Sequence, residues 1–203
     1  MGMRPYFGLA LATFFACATY SAFAQTLPAA TQGRSPWAIG AGLSGYNPDF
    51  GHGRLLGGTL WIDYTLTSVP SFLQGLAFEV EARDLNYDKT APKESALRQD
   101  TAGGCVIYSW RHFLKFRPYA KLLAEYGNTD YGQKNGPRGH DSRNFLGGGG
   151  GVEYMLMPRL WVRADYEYQS WPNFFKATVP AGRLNPQGIT VGAVYHFSRP
   201  RFP

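Results

Sequence analysis

The sequence predicts an all-β chain folded as an eight-stranded antiparallel up-and-down transmembrane β-barrel. Three observations carry that expectation. Eight segments alternate with period two, most of them about ten to thirteen residues long, enough to cross a bilayer at a tilt. The links between them alternate between long and short. The N-terminus reads as an export leader.

The leader has Arg4 in a short basic region, an apolar run over residues 7–20, and Ala22-Phe23-Ala24 before Gln25. Its apolar run is too short for a membrane helix of roughly 20 residues, and the small residues fit a secretory cleavage site. Cys17 invites a lipoprotein reading, but Phe14-Phe15-Ala16 is a poor match to the Leu-rich box that acylation prefers. The expected organisation is a signal peptide at 1–24, a periplasmic N-terminal segment at 25–36, a barrel at 37–197 and a tail at 198–203.

Aromatic residues make up 16% of the 203-residue chain, with 25 glycines and only 17% charged residues. Glycine- and aromatic-studded strands fit that mixture, and disorder does not. Nothing after the leader approaches 18 consecutive apolar residues, so no helix spans a membrane. Cys105 alone survives maturation. It forms no internal disulfide, and its place in a strand pattern points to burial rather than reactivity.

The strands are expected at 37–45, 55–66, 75–85, 97–110, 116–127, 144–155, 160–170 and 188–197. Long polar links follow the odd strands, at 46–54, 86–96, 128–143 and 171–187. Short links follow the even ones, at 67–74, 111–115 and 157–159. A β-sandwich has no reason to sort its loops in this way, whereas a membrane barrel does.

Each strand has an apolar and a polar face. Strand two sets Leu60, Ile62, Tyr64 and Leu66 against Thr59, Trp61, Asp63 and Thr65. Strand three sets Leu76, Phe78, Val80 and Ala82 against Glu79, Glu81 and Arg83. Strand five sets Ala120, Leu122, Ala124 and Tyr126 against Arg117, Tyr119, Lys121 and Glu125. Strand seven sets Leu160, Val162, Ala164, Tyr166 and Tyr168 against Trp161, Arg163, Asp165, Glu167 and Gln169. The pattern alone does not separate a soluble barrel from a membrane barrel with its apolar face outward. The leader, the sorted loops and the last strand favour the second. Tyr64, Tyr108, Trp110, Tyr154, Tyr195 and Phe197 then form an interfacial girdle at the short-turn end. Tyr126, Tyr166 and Tyr168 form one at the other end.

The last strand places Ile189, Val191, Ala193, Tyr195 and Phe197 on one face, and Thr190, Gly192, Val194 and His196 on the other. Its run of Thr190, Gly192, Tyr195 and Phe197 resembles the C-terminal assembly signal of bacterial outer-membrane β-barrels. With that signal and the topology, the chain resembles the small eight-stranded outer-membrane barrels of the OmpA transmembrane domain, OmpX and opacity-protein type. The resemblance implies an outer-membrane location, contact with outer-membrane lipid and lipopolysaccharide, and recognition by the assembly machinery. The tail after Phe197 departs from barrels that end at that aromatic.

The glycine run at 147–151 lacks the Gly-Lys-Ser/Thr ending and following helix of a phosphate loop. It is expected to leave room in a narrow barrel for bulky inward groups such as Trp161 or Arg163, as are Gly57-Gly58 and Gly103-Gly104. Asp63, Glu79, Glu81, Arg83, Arg117, Lys121, Glu125, Glu153, Arg163, Asp165 and Glu167 fall on the interior face. Eight strands leave an interior just wide enough for side chains, so these groups must pair. Gln169, inward and near the loop-side rim, is expected to tolerate replacement by Arg.

Glu79 and Glu81 share a face, which polar-in alternation already explains. His196 and Ser198 have the composition of a base and nucleophile but no third member. His52, His112 and His140 lie in separate links without metal-ligand spacing. The formal charge of +6 reflects rim and loop cations that suit lipopolysaccharide phosphates better than nucleic acid. The expected function is a non-enzymatic integral outer-membrane barrel with surface-exposed loops and an envelope-structural or surface-interaction role, without cofactor or metal. A small pore is the alternative, an outer-membrane lipid A acyl hydrolase the third, and a soluble lipid-binding barrel the remaining class.

Overall fold

Alternation of side chains across each strand, and the need to pair every backbone group in lipid, leave a closed sheet as the stable solution. The computed structural model shows that sheet. It describes residues 35–50, 53–67, 69–87, 95–111, 115–132, 138–172 and 182–198. The strands are β1 (Trp37–Asn47), β2 (Leu55–Thr65), β3 (Leu76–Tyr87), β4 (Ser95–Ser109), β5 (Phe116–Gly132), β6 (Arg138–Met155), β7 (Leu160–Ser170) and β8 (Gln187–His196). A single 3-10 turn at Ser71–Leu73 interrupts the link between β2 and β3.

Every neighbour pair is antiparallel, and the ring closes between β1 and β8 from Ala38↔His196 to Asn47↔Gln187. Beyond the strands, Phe197 N–H donates to Trp37 O at 3.2 Å and extends this seam by one residue. The short turn after β6 is held by Met157 N–H to Leu160 O at 2.9 Å, with the reverse bond at 3.1 Å.

The faces are inverted relative to a soluble protein. Leu43 is 77% exposed, Leu122 71% and Leu146 67%, whereas Arg163 is 2% exposed, Glu79 1% and Glu167 0%. A belt of that kind is stable only against lipid, which sets aside the soluble lipid-binding barrel. Exposed Tyr64, Trp110, Tyr154, Tyr195 and Phe197 ring the short-turn end, joined by Trp37 and Phe116. Tyr126, Tyr166 and Tyr168 are exposed towards the other.

Two loop-side hairpins extend beyond the sequence expectation. The link expected at 128–143 is largely strand, because β5 and β6 stay in register from Gly127↔Arg143 through Gly132↔Arg138. Residues on both faces of this extension are polar, so period two vanishes while the backbone ladder continues. β3 and β4 likewise run on to Tyr87 and start at Ser95, and β4 pairs with β5 through a register shift between Ala96 and Arg98.

The glycine run on β6 has a different neighbour from the one expected. A methyl at Gly147 would lie 2.7 Å from Tyr168 O, and one at Gly151 would strike Ala164 O and Asp165. The run therefore permits close approach of the β7 backbone rather than seating Trp161 or Arg163. Bulky inward rings are seated elsewhere. The Trp61 indole lies across Gly40 and Gly192, where a methyl at Gly192 would come within 2.7 Å of Trp61 Cη2.

Candidate functional site

Polar residues on alternate positions of eight tilted strands converge on a narrow axis, and the barrel interior is organised in layers along it. At mid-height, Arg83 of β3 spans the lumen to Glu167 of β7 through Nη1–Oε1 and Nη2–Oε2 contacts of 3.1 Å each. Arg83 also pairs with Glu81. Lys121 of β5 joins them from the side, 2.7 Å from Glu167, 3.1 Å from Glu81 and 3.6 Å from Asp165. The Arg83 guanidinium lies 4.5 Å above the Tyr46 ring.

The next layer towards the short turns repeats the design. Arg163 of β7 crosses to Glu79 of β3, contacts Asp165 at 3.0 Å and lies 3.9 Å from Asp63. Its Nε also donates to Tyr119 Oη at 2.6 Å, and that hydroxyl donates to Asp165 at 2.8 Å. Below it, Arg117 stacks on Trp161 at 4.1 Å, and Glu153 lies 3.9 Å from His196. Glu125 sits beside Cys105, with Oε1 4.0 Å from Sγ. All eleven interior ionisable residues named from the sequence thus face the lumen. The two crossings, Arg83–Glu167 and Arg163–Glu79, have the two-contact geometry that makes desolvated charges tolerable.

Glu79, Glu81 and Cys105 place three potential metal-ligand atoms within 4.8 Å of one another. Arg163 occupies Glu79, and Arg83 with Lys121 occupies Glu81, so the carboxylates already have cationic partners. Cys105 is buried.

Towards the loop-side end the lumen is packed by an apolar cluster that draws on residues outside the period-two segments. Trp171 and Leu184 form a bridge across the link after β7 and pack with Tyr46, Phe50, Leu55 and Phe145. Trp171 stacks on Phe145 at 4.5 Å and donates Nε1–H to Gln169 Oε1 at 2.9 Å. Gln169 is fully buried and also bonds Gln99 at 3.1 Å and Glu167 at 2.7 Å, so it is no permissive rim position. At the short-turn end, a chamber of about 30 Å³ lies among Asp63, Arg111, Arg117, Glu153 and His196.

His196 and Ser198 do not form a base–nucleophile pair. His196 packs edge-on to Trp161, and Ser198 Oγ donates to Ser35 O at 2.8 Å. Outside the membrane span, the extended β5–β6 hairpin lines up Asp130, His140 and Ser142, with His140 Nδ1 2.7 Å from Asp130 and Nε2 3.0 Å from Ser142 Oγ. In the sequence His140 lies in a polar stretch with no alternation, and nothing there sets the register that brings Asp130 to it. His52 and His112 lie outside the described residues.

The model of the outer membrane protein beta-barrel domain matches residues 9–197. The chain belongs to this outer-membrane β-barrel family. Its location is the bacterial outer membrane. Among solved structures, this barrel resembles Neisserial surface protein A, with a TM-score of 0.63, 17% identity, and coverage of 82% of this chain and 100% of that one. It resembles OprG of Pseudomonas aeruginosa at a TM-score of 0.54 and 13% identity, covering 81% and 97%. Ail, the attachment invasion locus protein of Yersinia pestis, follows at 0.51 and 16%, covering 79% and 96%. At these identities the outer-membrane barrels share the fold with this chain. No curated protein matches it.

Proposed function

We propose that the body of this outer-membrane barrel is a non-enzymatic envelope scaffold with a closed interior, and that its loop-side extension supplies the surface contacts. The observation that carries this function is the pair of charged struts, Arg83–Glu167 and Arg163–Glu79, each spanning from β3 to β7. In a ring of eight, those strands face each other across the full diameter. Support also comes from the apolar closure around Trp171. A water column would have to displace buried, mutually paired charges at two levels, and each separation costs several kcal/mol.

Outer-membrane lipid is the partner of the apolar belt, and the phosphates of lipopolysaccharide suit the exposed Arg183 at the outer rim. The assembly machinery is the partner of the last strand, through Thr190, Gly192, Tyr195 and Phe197. The deciding experiment is planar-bilayer recording of refolded protein. Silent bilayers are expected. Steady single-channel currents from the unmutated chain would establish the pore instead.

A further inference from the structure

β5 has 17 residues and β6 has 18, whereas about 9–11 suffice to span a bilayer. The surplus lies beyond Tyr126, whose exposed ring marks the outer headgroup level. On that extension, cross-strand register stacks four rows on the outward face: Ala124↔Leu146, Tyr126↔Asn144, Asn128↔Ser142 and Asp130↔His140. The lower two rows line an open groove of about 430 Å³, completed by Ser170, Pro172 and Arg183. The upper two carry the Asp130–His140–Ser142 line. Ser142 therefore stands one row, about 7 Å, above the groove.

We infer that Ser142, His140 and Asp130 form a serine-hydrolase triad that cleaves an ester-linked acyl chain of an anionic outer-leaflet lipid held in this groove. This activity goes beyond the scaffold, since it lies on the hairpin rather than in the barrel body. Asp130 Oδ1 lies 2.7 Å from His140 Nδ1, and His140 Nε2 lies 3.0 Å from Ser142 Oγ, so the tautomer with its proton on Nδ1 accepts from the Ser142 hydroxyl at Nε2. That is the nucleophile–base–orienter sequence that serine acyl transfer requires. Ser142 is itself fixed, because its backbone N–H donates to Asp141 Oδ1 at 2.9 Å and Asp141 is held by Arg143 at 3.0 Å.

The neighbours suit an acyl ester. Ala124, Tyr126 and Leu146 offer apolar wall to a chain rising from the membrane, and Arg183 offers a cation to a lipid phosphate. Asn128 pairs with Ser142 across the strands and Asn144 shares the outward face one row below, so two amide residues occupy the register positions beside the nucleophile. In the reaction, Ser142 Oγ attacks the ester carbonyl carbon while its proton passes to His140 Nε2. The carbon–oxygen bond to the lipid alcohol breaks, and the alcohol leaves with that proton. Water then attacks the acyl-Ser142 ester, giving a proton to His140, which returns it to Ser142 Oγ as the acyl–Oγ bond breaks. The sum is ester plus water to carboxylic acid plus lipid alcohol.

The test uses refolded protein in two vesicle preparations, one of phosphatidylglycerol and one containing lipopolysaccharide, with released fatty acid measured in each. A fluorophosphonate probe with peptide mass spectrometry reports the reactive residue. Folded wild-type protein should release fatty acid and carry the probe on Ser142. Ser142→Ala should lose both while keeping its heat-modifiable gel shift. Asp130→Asn should slow release by about 10²–10⁴-fold. Release from phosphatidylglycerol alone assigns a phospholipid ester, and release only with lipopolysaccharide assigns a lipid A ester. No release from either vesicle by folded wild-type protein overturns the inference. So does probe labelling without release, or release that survives Ser142→Ala.

Discussion

Arg83 and Glu167 stand on diametrically opposite strands and meet through two 3.1 Å contacts across the barrel axis. An eight-stranded barrel is narrow enough for one arginine to span it, and Arg163 with Glu79 makes the same crossing at the next level. Both struts run between β3 and β7, and Lys121 of β5 reaches into the upper one. The interior therefore behaves as a connected network rather than as isolated pairs.

The first prediction follows from that connection. Arg83→Met should cost about 3–5 kcal/mol, because Glu81 and Glu167 keep their burial and lose a shared cation. Arg83→Met with Glu167→Leu should lose less than the two single substitutions combined, since the stranded charge goes too. Urea unfolding of refolded protein in lipid checks both. Additive losses would mean that the strut has no energetic coupling.

Removing the lower strut should open the lumen. Arg163→Ala leaves Glu79 and Asp165 without their closest cation and frees the space between Trp61 and Tyr119, each 4.8 Å from the guanidinium. The variant should be less stable than the parent and should conduct in planar bilayers where the parent is silent. Equal currents from both proteins would contradict a sealed interior.

Period two made the barrel legible. It located all eight strands, and it put Glu79, Arg163 and their partners on one face because alternation is a local property. It stopped where alternation stopped. Asn128, Asp130, Ser142 and His140 share the outward face with polar residues behind them, so the β5–β6 extension looked like loop and its cross-strand line stayed invisible. Trp171 and Leu184 were missed because an isolated bridge leaves no repeating pattern. The neighbour of the β6 glycines was misjudged for a further reason. Sequence shows that space is needed, but not whether a ring or a backbone carbonyl fills it.

Lipid exposure can be measured on β5. Leu122→Arg, on the outward face near the middle of the strand, should cost about 2–4 kcal/mol. Gln169→Arg should also destabilise, although the residue is already polar, because it would break bonds to Gln99, Glu167 and Trp171 inside a closed layer. Equilibrium unfolding of each variant in the same lipid provides the comparison. A neutral Gln169→Arg would mean that the loop-side layer is open to solvent.

The last strand separates folding from delivery. Gly192 and the pair Tyr195 and Phe197 sit in one short segment, yet their surroundings differ. Gly192 faces inward under the Trp61 indole, whereas Tyr195 and Phe197 point outward and pack edge-to-face at 5.4 Å. Gly192→Val should strike the Ala41 carbonyl and Gly42 of β1 as well as Trp61, forcing the β1–β8 seam apart, and should cost about 3 kcal/mol or more by overpacking, with or without any cellular factor. It should therefore impair refolding of purified protein into detergent micelles. Tyr195→Ser with Phe197→Ser removes only outward rings, so micelle refolding should stay close to normal. In cells the same double variant should fail to reach the surface if the assembly machinery reads those rings. Refolding yield and surface protease accessibility, measured for both variants, give opposite orders of severity on this view. Normal surface levels of the double variant would remove Tyr195 and Phe197 from the assembly signal and leave Gly192 with a packing role alone.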